Sequence, residues 1–291
     1  MPNIEVITGP TASGKTDRAL LRWEENHDVE IVNADASLLY KGFDIGTAKP
    51  SKEIQDRIPH HIMDILNPDE SFNAGDYAKL ARSTICEIIT SGKKPLVVGG
   101  TGLYIDALFF GIAPLEADKE KLEEQRERIE NELIKFGFDT MLERLKDVDS
   151  ELYKQIIRER NPRRLERAWT FYYATGTPLG EARKAKSESF EFEPRFTLLE
   201  VEREELRDRI AKRTDQMLAS GWLDEVKEIL ASGVTSDMPA MNAIGYRELM
   251  DVLQNGKKLE EAREEIIIRT RQYAKRQETW MKRYKNNDYQ T

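Results

Sequence analysis

The chain has 291 residues, of which 39% are hydrophobic and 34% are charged, and its formal net charge is -8. This length allows one large domain or two smaller ones, and the longest apolar runs are far too short to span a membrane. The acidic balance argues against a protein that coats nucleic acid indiscriminately. The single cysteine, Cys86, excludes an internal disulfide. With a strand predicted almost at the N-terminus we expect no signal peptide and a cytoplasmic protein.

The first motif lies between a predicted strand at 4–8 and a predicted helix at 17–23. It fits the phosphate-loop template of Gly, four residues, then Gly-Lys-Ser/Thr, and consists of Gly9, Pro10, Thr11, Ala12, Ser13, Gly14, Lys15 and Thr16. Its backbone N–H groups can surround a phosphate, and the following helix points its positive dipole end at the anion. Lys15 adds a positive charge, and the Thr16 hydroxyl is suited to hold a metal ion. We predict a site for a pyrophosphate-bearing ligand, whose identity the motif leaves open.

A second strand is predicted at 30–33, and Asp35 follows it. Because ligands of open α/β sheets bind at the carboxyl ends of parallel strands, we expect Asp35 beside the phosphate loop, with a helix cap as the alternative. A glycine-punctuated binding or connecting loop follows at 39–50, then a short third strand at 61–65 and an amphipathic helix at 74–89.

An apolar fourth strand at 95–98 runs into Gly99-Gly100-Thr101-Gly102. Phosphate-loop nucleotidases usually end a later strand with an acid that organises Mg²⁺, so its absence weakens the interpretation of the loop as an ATP site. Instead, we expect the glycines to leave room for a ligand near the backbone, and Thr101 offers a hydroxyl.

From about residue 116 the sequence becomes charged and helical, with helices predicted at 119–136 and 139–146. Asn161 and Pro162 predict the start of another helix, which Gly176 ends. Strand character returns at 196–201. This order indicates a catalytic core over 1–115 and 195–291 that is interrupted by a helical insertion over 116–194.

Four further helices are predicted at 204–219, at 223–231, from Asn242 onward and at 259–284. Arg209 and Arg213 lie one turn apart on the first of them, and surface salt bridges are the alternative to a binding role for both. The last helix has seven positive residues and one negative residue between Arg269 and Lys285. A solvated helix face is the ordinary explanation, but an anionic partner is also suggested.

Six segments, in order, resemble those of the tRNA dimethylallyltransferases, also called tRNA isopentenyltransferases. They are Gly9–Thr16, Asp44–Pro50, Gly99–Tyr104, Pro162–Ala168, Ile244–Leu249 and Thr270–Gln277. The resemblance implies transfer of a dimethylallyl group from dimethylallyl diphosphate to a tRNA adenine. The acceptor would be the exocyclic amine of the adenine 3′ of the anticodon, in tRNAs that read codons beginning with U.

The same resemblance implies that the loop binds the diphosphate with Mg²⁺, rather than a nucleoside triphosphate. The implied fold class is α/β, a nucleotide-kinase-like parallel sheet with flanking helices and an inserted all-helical domain that contacts the tRNA anticodon stem-loop. We expect a monomer.

Residue roles also follow from the resemblance. Asp35 matches the general base, Thr11 and Thr101 match substrate contacts, and either Arg209 or Arg213 matches a diphosphate-binding arginine. Ala36 departs from the family, which usually has serine there, and Ser37 is a candidate to compensate. The residues expected to bind tRNA are Asp35, Ala36, Ser37, Leu38, Thr101, Arg163, Arg164, Leu165, Glu166, Arg167, Lys275 and Arg276.

Three alternatives remain open from the sequence. One is an adenylate isopentenyltransferase that uses the same donor on a free nucleotide, and a second is a small-molecule kinase that binds ATP. The third is a nucleotide-switched RNA-binding module without chemistry, for which an acid beside the phosphates would have no use.

Overall fold

The computed structural model describes residues 3–111, 118–184, 190 and 192–285, and within them five parallel strands form one sheet. The strand order is β3-β2-β4-β1-β5. The strands are β1 Asn3–Thr8, β2 Val29–Asn33, β3 His60–His61, β4 Lys94–Gly99 and β5 Glu193–Leu198. Thr8 is level with Gly99, and Asn33 is level with Val98, so β1, β4 and β2 end side by side. The parallel α/β sheet predicted from the sequence is confirmed.

Helices pack on both faces of the sheet, which explains the uninterrupted apolar sequence of β4. The helices of this part of the chain are α1 Lys15–Asn26, α2 Lys52–Arg57, α3 Ala74–Thr90, α4 Gly102–Phe109, α10 Arg203–Ala219, α11 Trp222–Ala231, α12 Tyr246–Gln254 and α13 Leu259–Lys285. Among the described helices, none is both long enough and apolar enough to cross a membrane.

The helical insertion is a unit of its own: residues 111–189 form one compact unit, and residues 1–110 with 190–291 form the other. Its helices are α5 Lys119–Phe136, α6 Phe138–Val148, α7 Ser150–Glu159, α8 Pro162–Thr175 and α9 Leu179–Ala182. The start of α8 agrees with the sequence signals, since the Asn161 side chain accepts the N–H of Arg163. Trp169 is buried in the core of this unit and donates its indole N–H to the carbonyl of Met141.

Two predicted strands have wrong bounds. The strand predicted at 61–65 stops at His61, because Ile62 and Asp64 have positive φ values of 60° and 55°, which break the ladder. The strand predicted at 196–201 instead covers Glu193–Leu198, because its partner β1 ends at Thr8, opposite Leu198.

The helix predicted to begin at Asn242 also has the wrong start. Residues Pro239–Asn242 form a 3-10 turn, and α12 begins only at Tyr246. Gly245 lies between them with a φ of 104°, a value outside the helical region. Helices α2, α4, α7 and α9 are not predicted from the sequence. In α4, every residue from Tyr104 to Phe109 is buried, so no amphipathic period marks the helix.

The long helix α13 is anchored to α4 by one carboxylate. Asp106 accepts hydrogen bonds from the indole of Trp280 at 3.1 Å, the guanidinium of Arg283 at 2.8 Å and the hydroxyl of Tyr284 at 2.8 Å. Burial raises the pKa of Asp106, and the three donors oppose that shift. The carboxylate therefore holds the end of α13 against α4. Both helices belong to the unit that contains the sheet, residues 1–110 with 190–291, which we call the sheet unit.

Asp106→Ala should lower the free energy of unfolding by about 3 kcal/mol, because it removes the acceptor that Trp280, Arg283 and Tyr284 share. Urea denaturation followed by circular dichroism measures the loss. Asp208→Ala, which removes an exposed carboxylate from α10, is the matched control and should change stability by less than about 0.5 kcal/mol. Equal losses in the two variants would contradict the anchoring role of Asp106.

Candidate active site

The phosphate loop connects β1 to α1 at the carboxyl edge of the sheet. The N–H of Ser13 donates to the carbonyl of Pro10 at 3.2 Å, and Ala12 and Gly14 have positive φ values of 62° and 88°. The chain therefore turns back on itself before Lys15 opens the helix. A turn of this kind at a helix N-terminus directs several N–H groups at one point, where an anion binds.

Lys15 places its ammonium inside this turn. Its Nζ donates to the carbonyls of Gly9 and Pro10, at 2.9 Å each. Burial lowers the pKa of Lys15 from 10.5 to about 8, while the negative charge of Asp35 raises it and the positive charge of Arg213 lowers it. A desolvated cation with a depressed pKa gains favourable energy when an anion reaches it.

Asp35 combines the two positions considered from the sequence, a place beside the phosphate loop and a helix cap. It caps the 3-10 turn Ala36–Leu38, and its Oδ1 accepts from the N–H of Ser37 at 3.1 Å and from the Ser37 hydroxyl at 2.7 Å. Within the described part of the chain no donor reaches its second oxygen, Oδ2. Asp35 also lines the same cavity as Lys15 and Arg213, so a carboxylate faces two cations.

Ala36 and Thr101 meet behind Asp35. The N–H of Ala36 donates to the Thr101 hydroxyl at 3.0 Å, and the N–H of Thr101 donates to the carbonyl of Ala34 at 3.0 Å. Thr101 thus supports the turn after β2. Ala36 has no hydroxyl, and the hydroxyl of Ser37 reaches Asp35.

The two candidate arginines of α10 have different surroundings. Arg213 donates to the Thr11 hydroxyl at 3.2 Å, and burial lowers the pKa of its guanidinium. Arg209 is paired with Glu205 at 2.7 Å, and its side chain is 45% exposed. Both line the cavity, but only Arg213 of the two contacts the phosphate loop.

The glycines at the end of β4 and just after it are tightly packed, so the prediction that they leave room for a ligand is wrong for Gly100 and Gly102. A Cβ on Gly99 would overlap the backbone of Ala34, and one on Gly100 would overlap the amide of Gln277. A Cβ on Gly102 would overlap the ring of Trp280. The space beside these glycines is filled by the protein itself. Of the three, Gly99 alone lines the cavity.

Most of these groups line one cavity of about 1040 Å³ within the sheet unit. The predicted site residues that line it are Thr11, Ala12, Ser13, Gly14, Lys15, Thr16, Asp35, Ala36, Ser37, Leu38, Arg209, Arg213 and Arg276. Gly9, Pro10, Thr101 and Lys275 do not line it. The cavity is larger than one diphosphate needs, so it has space for a second reactant beside the loop.

The Asp44–Pro50 segment forms one wall of this cavity, and side chains hold it in place. The carboxylate of Glu225 accepts the N–H groups of Asp44, Ile45 and Gly46, at 3.0, 2.7 and 3.3 Å. Lys49 is buried and is ion-paired with both Asp44 and Asp64. The charge of Lys49 is therefore already neutralised within the protein.

Arg247 and Arg269, which were not among the predicted site residues, lie with Arg276 near the cavity. Arg269 lines it and pairs with Glu248, and the positive charges of Arg247 and Arg276 act on it. Burial, followed by these two charges, lowers the pKa of Arg269. The spacing of Arg269 and Arg276, two turns apart on α13, is a sequence signal that could have found this pair.

The residues predicted to bind RNA in the insertion lie at the start of α8. Arg163 and Arg167 are exposed, Arg164 is paired with Glu159, and Glu166 is paired with Arg126. Leu165 is fully buried in the core of the insertion, so the prediction that it contacts RNA is wrong for its side chain. Arg183, missed in the sequence, lies near Arg164 and Arg167.

These features define an α/β protein with a parallel sheet, a loop that fits the phosphate-loop template and a helical insertion. A family model described as IPP transferase matches residues 38–284. The tRNA dimethylallyltransferase 1 of Pelobacter propionicus is 43% identical over 283 residues, which cover 96% of this chain and 89% of that protein. The chain belongs to the tRNA dimethylallyltransferase family, and it is an enzyme of the prenyltransferase type.

Solved structures agree with this assignment. The tRNA isopentenylpyrophosphate transferase of Staphylococcus epidermidis is 37% identical, with a TM-score of 0.68, and the match covers 97% of this chain and 90% of that one. A eukaryotic dimethylallyltransferase acting on tRNA is 27% identical, with a TM-score of 0.79, over 97% of this chain and 70% of that one.

Because the pKa of Lys15 is about 8, its affinity for a diphosphate should depend on pH. A bound anion raises that pKa, so the contribution of Lys15 to the affinity should be constant below pH 8 and fall as pH rises above it. Calorimetric titration with dimethylallyl diphosphate on both sides of pH 8 measures the change. In the Lys15→Arg control the guanidinium stays charged, and this fall should be absent. The same pH slope in both proteins would show that Lys15 is not its source.

Proposed function

We propose that this protein transfers the dimethylallyl group of dimethylallyl diphosphate to the exocyclic amine of an adenine in tRNA and releases pyrophosphate. The main support is the presence of a carboxylate, Asp35, in the same cavity as a desolvated, positively charged phosphate loop. Such a pair suits a reaction in which an anion leaves on one side while a proton is removed on the other.

At the donor end, the bond between the allylic carbon and the diphosphate oxygen breaks, and its electrons stay with the departing pyrophosphate. Lys15, the loop N–H groups and Arg213 would stabilise that growing negative charge. We assign the diphosphate-binding role to Arg213 rather than Arg209, because Arg213 contacts Thr11 while Arg209 is engaged by Glu205.

Mg²⁺ fits this end of the cavity. The Thr16 side chain lines it one residue after Lys15, and the nearby Ser13 hydroxyl is buried without a partner among the described residues. Mg²⁺ prefers oxygen ligands and commonly takes one or two from protein and the rest from phosphate and water. We propose that Thr16 holds the ion, which would supply further positive charge to the leaving group when bound.

At the acceptor end, the adenine amine is a weak nucleophile because its lone pair is delocalised into the ring. As the nitrogen bonds to the allylic carbon, it must lose a proton. The Oδ2 oxygen of Asp35 is suited to accept that proton, since the donors of Ser37 occupy Oδ1. General bases of this kind contribute roughly 10²–10⁴ in rate.

We infer that the acceptor is the adenine 3′ of the anticodon in tRNAs that read U-initial codons. That base must leave its stack, which costs a few kcal/mol. Phosphate contacts could offset this cost and would be salt-dependent. The candidates for them are Arg163, Arg164, Arg167, Arg183, Arg247, Arg269, Lys275 and Arg276. The protein would act in the cytoplasm, as a monomer.

The other interpretations open from the sequence are less well supported. The named relatives act on tRNA, which disfavours a free nucleotide as the acceptor. An ATP-dependent kinase would need an acid after β4, where Gly99 and Gly100 stand instead. A binding module without chemistry would have no use for Asp35 in the cavity.

Asp35→Asn should reduce transfer about 10²–10⁴-fold, because an amide cannot take the proton yet can still accept from Ser37 and preserve the turn. The assay follows label from radioactive dimethylallyl diphosphate into undermodified tRNA in a single turnover. Asp208→Asn, an exposed carboxylate of α10, is the control and should retain full activity. Full activity of Asp35→Asn would exclude the base role, and label in AMP but not in tRNA would exclude the tRNA acceptor.

Arg213→Gln should raise the KM for dimethylallyl diphosphate about tenfold or more, because a charge-assisted contact to the diphosphate is lost. Arg209→Gln removes the same kind of charge one turn away, from an exposed side chain, and should change that KM by less than about threefold. Steady-state kinetics at saturating tRNA measure both. The opposite order would assign the diphosphate to Arg209.

A further inference from the structure

Gln277 of α13 is a buried polar side chain, with 4% of its surface exposed. Both ends of its amide are bonded to main chain: Oε1 accepts the N–H of Thr11 at 2.8 Å, and Nε2 donates to the carbonyl of Gly100 at 2.9 Å. Thr11 belongs to the phosphate loop after β1, and Gly100 to the loop after β4. One side chain thus joins the ends of two neighbouring strands.

The fit around this amide is close. An added Cβ on Gly100 would overlap Nε2 of Gln277, so the absence of a side chain at Gly100 is what admits the amide. The packing of the protein therefore explains why position 100 is a glycine, independently of any ligand.

Thr11 is consequently held from two sides. Oε1 of Gln277 accepts the main-chain N–H of Thr11, and Arg213 donates to the Thr11 hydroxyl at 3.2 Å. The N–H of Thr11 already has an acceptor, so it does not compete with the later N–H groups of the loop for a phosphate. The position of Thr11 relative to Arg213 is set by these two bonds together.

The turn that bears Asp35 lies near the same helix, α13. Tyr273 lies one turn before Gln277 on α13, close to Thr101. Thr101 in turn accepts the N–H of Ala36, next to Asp35. The bonds of Gln277 itself reach Thr11 and Gly100, on the donor side of the cavity.

We propose that Gln277 is a positioning residue that holds the phosphate loop at Thr11 against Gly100, so that Arg213, Lys15 and the loop N–H groups converge on the diphosphate. This inference rests on the proposed function. It concerns donor binding and alignment, and tRNA affinity should be largely independent of it.

The test compares Gln277→Met, which fills the space without hydrogen bonds, with Gln277→Glu. Both variants should remain folded, as thermal unfolding will show. In Gln277→Met, the KM for dimethylallyl diphosphate and the Kd for inorganic pyrophosphate should each rise about tenfold, as expected for lost bonds to a buried group. The Kd for undermodified tRNA should change less than about twofold. Gln254→Met, an exposed glutamine of α12, is the control and should match the wild type.

Gln277→Glu supplies a pH signature. A protonated carboxyl has one donor and one acceptor, as the amide does, whereas the ionised form has only acceptors and would face the Gly100 carbonyl. Pyrophosphate affinity relative to the wild type should therefore recover as pH falls in Gln277→Glu, and stay low in Gln277→Met. Gly100→Ala, which displaces the amide from the other side, should give the same loss of pyrophosphate affinity without a loss of tRNA affinity.

Unchanged donor KM and pyrophosphate Kd in the folded variants would overturn the positioning role, as would an equal loss of tRNA affinity. Failure of the proposed function is a separate result, because the wild type itself would then neither bind pyrophosphate nor prenylate tRNA. If Gln277→Met does not fold, Gln277→Glu and Gly100→Ala decide the question by the same measurements.

Discussion

The ammonium of Lys15, bound to the carbonyls of Gly9 and Pro10, is the interaction on which the site depends. A cation in a desolvated place is unfavourable, and here two carbonyls and the charge of Asp35 offset that cost only in part, since the pKa of Lys15 is still lowered. A diphosphate would offset it much further. The protein is thus built around a positive charge that its own groups leave incompletely stabilised.

The sheet determines where that charge lies. Because β1, β4 and β2 end level with one another, the phosphate loop, the glycines after β4 and Asp35 emerge side by side. This proximity places the proposed leaving-group site and the proposed base in one small region. The packed glycines are part of the same constraint, since any side chain at Gly99 would collide with the backbone of Ala34 that leads to Asp35.

How much of this is predictable from sequence depends on the range of the interactions. The phosphate loop and the position of Asp35 at a strand end are local patterns, and the strand-end rule is enough to bring them together. The choice between Arg209 and Arg213 depends on the direction of α10 relative to Thr11, which lies about two hundred residues earlier. The packing of the glycines depends on Gln277 and Trp280 of α13, so spacing alone could not distinguish a filled space from an open one. Likewise, Gly245 interrupts a helix pattern with a φ of 104°, and the ring of Trp222 lies where its Cβ would be, which is a tertiary constraint.

The two faces of α13 differ in their exposure to solvent. Lys275 and Arg276 are exposed, whereas Ala274 and Gln277 are buried within the sheet unit. A contact of RNA phosphates with Lys275 or Arg276 would therefore act on the same helix whose Gln277 accepts the N–H of Thr11. Asp106 fixes the far end of this helix, so its position is set by the fold before any RNA binds. The proposed donor site would then be preorganised by tertiary packing, and charges that contact RNA would add affinity without having to arrange the catalytic groups.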